Sequence, residues 1–63
     1  MISPMRQNRI FKKLTLDDLF LLTGIDISRL SRIERKIFKP TEQEKKLIAI
    51  ALKRPLSKIF PEK

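Results

Sequence analysis

Basic side chains recur at helical spacing in the segment that follows the only glycine of this chain. Arg29, Arg32 and Lys36 lie three and four residues apart, so a helix would place them on one face. A guanidinium presents N–H donors in a planar fork that fits the oxygens of a phosphate or the edge of a guanine base. These residues therefore suit a polyanion, provided that a helix presents them together.

Side chains that carry out catalysis or hold metals are scarce. Histidine and cysteine are absent, which excludes the usual zinc sites and the common nucleophile–base pairs. One glycine is too few for a glycine-rich phosphate-binding loop. Asp17 and Asp18 could bind a metal or form an acid/base pair, but a place in the first turn of a helix favours a capping role. We therefore expect a binding module that is not an enzyme, with no catalytic residue, no metal and no cofactor.

The net charge indicates a class of partner. Fifteen Lys or Arg residues against seven Asp or Glu residues leave +8 on 63 residues. This balance favours nucleic acid first and an anionic membrane surface second. A lysine-rich protein without such a partner is the plainer alternative.

Length and hydropathy predict one soluble domain over residues 1–63. The longest apolar run covers residues 19–22, far short of the roughly 20 residues of a membrane span. Residues 1–8 lack the apolar stretch of a signal peptide. We expect a cytoplasmic protein with no membrane partner and no small-molecule ligand.

Capping residues, prolines and the glycine divide the chain into five predicted helices. Ser3 and Pro4 would open a helix that runs to about residue 13. Thr15 would cap a second helix, which ends at Gly24 because glycine adopts the left-handed conformation freely. Asp26 would cap a third helix.

The second half of the chain follows the same logic. Lys39-Pro40 stops the third helix, since the residue before proline avoids the helical region. Thr41 would cap a fourth helix, and Pro55 would open a short fifth helix over 56–60. No alternating strand pattern competes, so the fold class is all-α.

Apolar residues at helical spacing mark the predicted buried faces. They are Leu19 and Leu22 in the second helix, Ile27, Leu30, Ile33 and Ile37 in the third, and Leu47, Ile48, Ala51 and Leu52 in the fourth. The helices over 15–36, joined at a glycine turn, form a predicted helix-turn-helix unit. Such a unit places its second helix in the major groove of DNA.

Residues 5–60 resemble the lambda-repressor-like, or XRE-type, helix-turn-helix domain of phage repressors, Cro proteins and small bacterial regulators. The residues that carry the resemblance are Leu14-Thr15, Leu19, Gly24-Ile25, Ile27-Ser28, Leu30 to Arg35, Lys39-Pro40-Thr41 and Leu56-x-x-Ile59-Phe60-Pro61. The resemblance implies a five-helix domain in a bacterial or phage regulator. It would act as a homodimeric, sequence-specific repressor on palindromic double-stranded DNA, associated with the nucleoid when bound.

The resemblance also assigns roles to particular residues. Those expected to contact bases are Ile27, Ser28, Arg29 and Arg32. Those expected to contact phosphates are Thr15, Leu16, Arg35, Lys36 and Lys39. Arg9 and Glu34 are expected to form a structural ion pair. The candidates for the dimer surface are Ile37, Phe38, Ile59 and Phe60.

Plainer interpretations accompany several of these assignments. Ile27 would otherwise be a partly buried edge of the core, and Phe60 a core residue. Arg29 and Arg32 would otherwise lie on a solvated face or contact phosphates only. The family usually has a small residue at the position of Phe20, so its ring must point outward or the helices must lie farther apart.

Two other functions fit the same sequence. A protein-interaction module, such as an antitoxin or an anti-repressor, could keep the fold and bind through Phe20, Leu21 and Phe38. Binding of nucleic acid or anionic membrane through charge alone would need no base contacts at all.

Overall fold

Five helices and no strand are present among residues 3–61, the part of the chain that the computed structural model describes. The helices are α1 (Pro4–Phe11), α2 (Leu16–Thr23), α3 (Ile27–Glu34), α4 (Glu42–Leu52) and α5 (Leu56–Ile59). The predicted all-α class is confirmed. None of these helices is long and apolar enough to cross a membrane.

Side-chain caps determine where the first four helices begin. Ser3 accepts a hydrogen bond from the N–H of Arg6 at the start of α1. Thr15 and Asp18 form a capping box at the start of α2, in which each side chain accepts from the backbone N–H of the other residue. These starts were predicted, and Asp18 has the capping role that competed with metal binding. No cluster of potential metal ligands occurs within residues 3–61.

Three helices end in the same motif, with a lysine in the left-handed conformation. Lys13, Lys36 and Lys53 have φ of 59°, 64° and 56°. In each case the lysine N–H and the N–H of the following residue bond back to the last turn of the helix, which is a Schellman motif. A left-handed φ costs a residue with a Cβ about 1–2 kcal/mol. Gly24, at φ 78°, ends α2 without that cost.

The core is formed where α2 packs against α3 and α4, and where α5 packs against α1 and α4. The buried apolar residues are Met5, Leu19, Ile25, Leu30, Ile33, Ile48, Ala49, Leu52 and Ile59. Leu47 and Ala51 are partly buried against this cluster. The prediction is therefore confirmed for the central residues of α3 and α4, whereas Met5, Ile25 and Ala49 were missed.

Three residues predicted to be buried lie at the surface instead: Leu22, Ile27 and Ile37. The buried side of α2 runs from Leu16 through Leu19 to Thr23, which turns Leu22 outward. Ile37 lies beyond α3, because the chain turns at Lys36 and the Ile37 N–H bonds back to the carbonyl of residue 32 at 2.8 Å.

Candidate nucleic-acid interface

A three-residue turn over 24–26 joins α2 to α3 and is fixed by side-chain contacts. The hydroxyl of Thr23 donates to the carbonyl of Leu19 at 2.7 Å and accepts from the N–H of Ile25 at 3.1 Å. The side chain of Ile25 is buried in the core. Together with the left-handed Gly24, these contacts hold the start of α3 relative to α2.

The first turn of α3 is held by Asp26. Its carboxylate accepts from the backbone N–H of Ser28 at 3.0 Å and also from the Ser28 hydroxyl. These hydrogen bonds lower the pKa of Asp26, because they favour its ionised form. The hydroxyl proton of Ser28 is therefore already engaged, which leaves its oxygen lone pairs to accept from a ligand. Ile27, beside it, is exposed.

Arg29 does not lie on a freely solvated face, as one interpretation of the sequence had it. Its Nε lies 2.5 Å from Oε2 of Glu44, and its Nη2 lies 3.1 Å from Oε1 of the same carboxylate. This bidentate pair lowers the pKa of Glu44 and raises the pKa of Arg29, in each case chiefly through the hydrogen bonds to the partner. The pair joins α3 to the first turn of α4.

Phe38, in the loop between α3 and α4, contacts both arginines of α3. The ring centroid lies 5.4 Å from Cζ of Arg29 and 5.5 Å from Cζ of Arg32, within the range of cation–π interaction. The guanidinium of Arg32 makes no hydrogen bond to any residue in the range 3–61. Its donors therefore remain open to solvent or a ligand.

The stripe of Arg29, Arg32 and Lys36 is shorter than its spacing predicted. Lys36 lies two residues beyond the end of α3 in a left-handed turn, so it belongs to the loop. Arg35 and Lys39 are exposed in the same region. These three cations follow the C-terminal end of α3, where they are available to a phosphate backbone.

The start of α2, where the backbone amides around Thr15 and Leu16 are expected to face a phosphate, also carries opposing charge. The Thr15 hydroxyl is engaged in the capping box, and the Leu16 side chain packs against the core. Asp17 and Asp18 place two carboxylates in the same turn. Their charge opposes a phosphate there, and the donors that remain to bind it are the Thr15 O–H, which only accepts in the capping box, and backbone N–H groups.

The second ion pair of α3 is largely buried. Arg9 pairs with Glu34 through Nε–Oε2 at 2.6 Å and Nη2–Oε1 at 3.2 Å, and its Nη1 donates to the carbonyl of Leu14 at 2.8 Å. The two side chains are 14% and 6% exposed. The expected contact is present, and it ties α1 to the end of α3.

The candidates for a dimer surface divide into two groups. Ile59 is 1% exposed and belongs to the core, so it was wrong as a contact residue: α5 turns it against α1 and α4. Phe60 is partly buried against the same core. Ile37 and Phe38 are exposed, although Phe38 also lies against the arginines. The ring of Phe20 is partly exposed, which fits the outward orientation, one of the two alternatives for this residue.

Comparison with models of known protein families and with curated proteins finds no match to this chain. The link to the XRE-type domain rests on the residues quoted above and stays a resemblance.

Proposed function

We propose that this protein is a sequence-specific regulator, a repressor, that binds double-stranded DNA with α3 in the major groove. The observation that carries the proposal is the division of α3 into two sides. Leu30 and Ile33 anchor one side in the core, whereas Ser28 and Arg32, four residues apart, are exposed on the other side of α3. The five-helix lambda-repressor-like fold is part of the same proposal.

The dimensions of α3 suit the groove. Eight residues make a helix about 12 Å long, close to the width of the major groove of B-DNA, which is also about 12 Å. The cations of Arg35, Lys36 and Lys39 follow the helix and would contact phosphates. Such contacts fix the position of a protein on DNA, and the base contacts supply the sequence preference.

A palindromic site requires two copies of this domain. Half-sites one helical turn apart place their recognition helices about 34 Å from each other. One copy measures 30 × 23 × 22 Å between Cα atoms and carries a single α3, so it can occupy only one half-site. Ile37 and Phe38 are the exposed apolar candidates for contact between the copies. Phe38 already lies against Arg29 and Arg32, so Ile37 is the better candidate.

A protein-interaction module is the second candidate, because α2 has an exposed apolar side. Leu21 is 77% exposed, and Leu22 and Phe20 flank it at the surface. Clustered apolar residues of this kind are common where proteins meet. An antitoxin-like or anti-repressor role would use this side of α2 rather than the arginines of α3.

Selection from a pool of random DNA duplexes tests the proposal. We expect an enriched palindromic sequence that binds about a thousandfold or more tighter than unrelated duplex at physiological salt. Arg32→Ala should reduce that ratio strongly. Lys58→Ala removes the same charge from α5 and is the matched control, which should keep the ratio. Leu21→Ser should leave DNA binding unchanged.

Two results would contradict the proposal. The first is a pool with no enriched sequence and a steep salt dependence, which indicates binding through charge alone. The second is a loss of the protein's biological activity in Leu21→Ser together with normal activity in Arg32→Ala. That result would favour the protein-interaction module.

A further inference from the structure

We propose that the two arginines of α3 have different tasks: Arg32 contacts a guanine base, and Arg29 is a positioning residue that ties α3 to α4. The inference rests on the proposed function and adds a specific target to it. It also assigns a positioning role to Glu44 and Phe38, whose contacts with α3 were not expected from the sequence.

One edge of the Arg29 guanidinium is committed within the protein. A guanine is recognised when two N–H groups on one edge of a guanidinium donate to its O6 and N7 atoms. In Arg29 the edge formed by Nε and Nη2 already donates to both oxygens of Glu44. A carboxylate is a stronger acceptor than a neutral base, because hydrogen bonds between charged groups are roughly twice as strong. Guanine is therefore a poor competitor for this edge.

The carboxylate that holds Arg29 is itself fixed. Oε1 of Glu44 accepts from the backbone N–H of Thr41 at 2.9 Å, and the Thr41 hydroxyl accepts from the N–H of Glu44 at 3.1 Å. This capping box anchors Glu44 at the start of α4. To turn its Nε–Nη2 edge toward DNA, Arg29 would have to give up an ion pair that is built into a helix cap.

In Arg32, by contrast, no N–H donor is used in a hydrogen bond within residues 3–61. The Phe38 ring lies close to its guanidinium and restricts it without using any N–H donor, since a cation–π contact involves the face of the ring. A side chain that is restricted before binding loses less conformational entropy when it binds. Arg32 thus combines free donors with a limited range of positions, which suits a base contact.

Substitution of single guanines by 7-deazaguanine tests this division. The probe is the duplex selected by the wild-type protein, and the modified base removes only the N7 acceptor. We expect wild type to lose about tenfold in affinity at one guanine of each half-site. In Arg32→Ala the same modification should have almost no further effect, because the two changes remove one contact.

The matched variant is Arg29→Ala, with Glu44→Gln as the conservative companion. Both should weaken binding to all duplexes by a similar factor and keep the penalty at the same guanine. The inference is overturned if that penalty disappears in Arg29→Ala, or if it persists in Arg32→Ala. A pool without any enriched sequence overturns the proposed function and this inference together.

A measurement on the protein without DNA tests the division of tasks between the two arginines independently of the proposed function. The Nε–H proton of Arg29 should exchange with water more slowly than that of Arg32, and Glu44→Ala should remove the difference. Slow exchange at Arg29 supports the positioning role even where the DNA target is wrong. Equal exchange at both arginines in wild type overturns the division of tasks.

Discussion

Two arginine–glutamate pairs connect α3 to its neighbours with the same geometry and in different surroundings. In both, Nε faces Oε2 and Nη2 faces Oε1. The Arg9–Glu34 side chains are 14% and 6% exposed, whereas those of Arg29–Glu44 are 38% and 16% exposed. The first pair joins α3 to α1 inside the molecule, and the second joins α3 to α4 at its surface.

Burial, and not the pairing itself, determines what each of these ion pairs does for the protein. Water cannot replace a partner that is removed from the buried pair, so the remaining charge is left without a compensating group. At the surface, water or a phosphate can take that place, and the net contribution of a pair is small. The inner pair therefore supports folding, and the outer pair orients side chains at the candidate interface.

The largest expected effect is the loss of one partner in the buried pair. Glu34→Ala should lower the free energy of unfolding by about 3–5 kcal/mol, because it leaves the Arg9 guanidinium buried and unpaired. A domain of this length rarely has more than about 3–5 kcal/mol in total, so the variant should be largely unfolded at room temperature. Urea denaturation followed by circular dichroism measures the change.

A double variant provides the control for that experiment. Arg9→Met combined with Glu34→Leu removes both charges and keeps apolar volume, which should recover most of the lost stability. If Glu34→Ala is as stable as Glu44→Ala or more stable, the buried pair does not support folding more than the exposed pair does.

A smaller effect is expected at the outer pair. Glu44→Ala removes both its half of a capping box and the partner of Arg29, and should cost about 1 kcal/mol in unfolding free energy. Asp18→Ala is a matched control, since Asp18 has the same place in the capping box of α2 and no arginine partner. A larger loss in Glu44→Ala than in Asp18→Ala measures the pair, and equal losses would show that it adds nothing.

The outer pair should also make stability depend on pH. Its hydrogen bonds with Arg29 hold the pKa of Glu44 below the ordinary value of 4.5 in the folded state. The unfolded chain therefore takes up its proton first as the pH falls. The contribution of Glu44 is complete above pH 4.5 and is lost as the pH falls through the lowered pKa of the folded state.

Urea denaturation in a series of acidic buffers checks this dependence. Asp26 shifts in the same direction, so the difference between wild type and Glu44→Gln isolates the glutamate. Glu44→Gln should lose less stability on acidification than wild type. Parallel curves for the two proteins would contradict the assignment.

Salt should give the smallest effect and the sharpest contrast. Between about 0.1 M and 1 M salt the screening length falls from about 10 Å to about 3 Å, which weakens exposed charge pairs far more than buried ones. A double-mutant cycle on Arg29 and Glu44 should give a coupling energy that falls toward zero at high salt. The cycle on Arg9 and Glu34 should hardly change, and an equal response would remove the distinction between them.

Signals within a few residues of each other predicted much of this fold. The caps at Ser3, Thr15, Asp26 and Thr41 and the turn at Gly24 are all where the sequence placed them. Each of the four caps depends on a side chain and a backbone group two or three residues away, so the local sequence is sufficient to predict it. The base and phosphate contacts on α3 remain predictions.

Contacts between distant residues were beyond the local sequence pattern, and the Arg9–Glu34 pair, 25 positions apart, was expected only from the family resemblance. Arg29 and Glu44 are 15 positions apart, and the acidic first turn of α4 explained Glu44 without any partner. Phe38 was assigned to a dimer surface because nothing in its own segment points to the arginines. The end of α3 at Glu34 was also missed, since a lysine in the left-handed conformation gives no stop signal of the kind that glycine gives.

The lysines that follow α1, α3 and α4 each add a positive charge at a position where the backbone conformation is unfavourable for a residue with a Cβ. Glycine at position 13, 36 or 53 would relieve the left-handed conformation and remove one unit of the +8 charge in a single change. Under the proposed function, Lys36→Gly should therefore weaken binding to DNA phosphates without a loss of fold. Attraction to polyanions and backbone strain are thus coupled at three points of this chain, where one substitution lowers both.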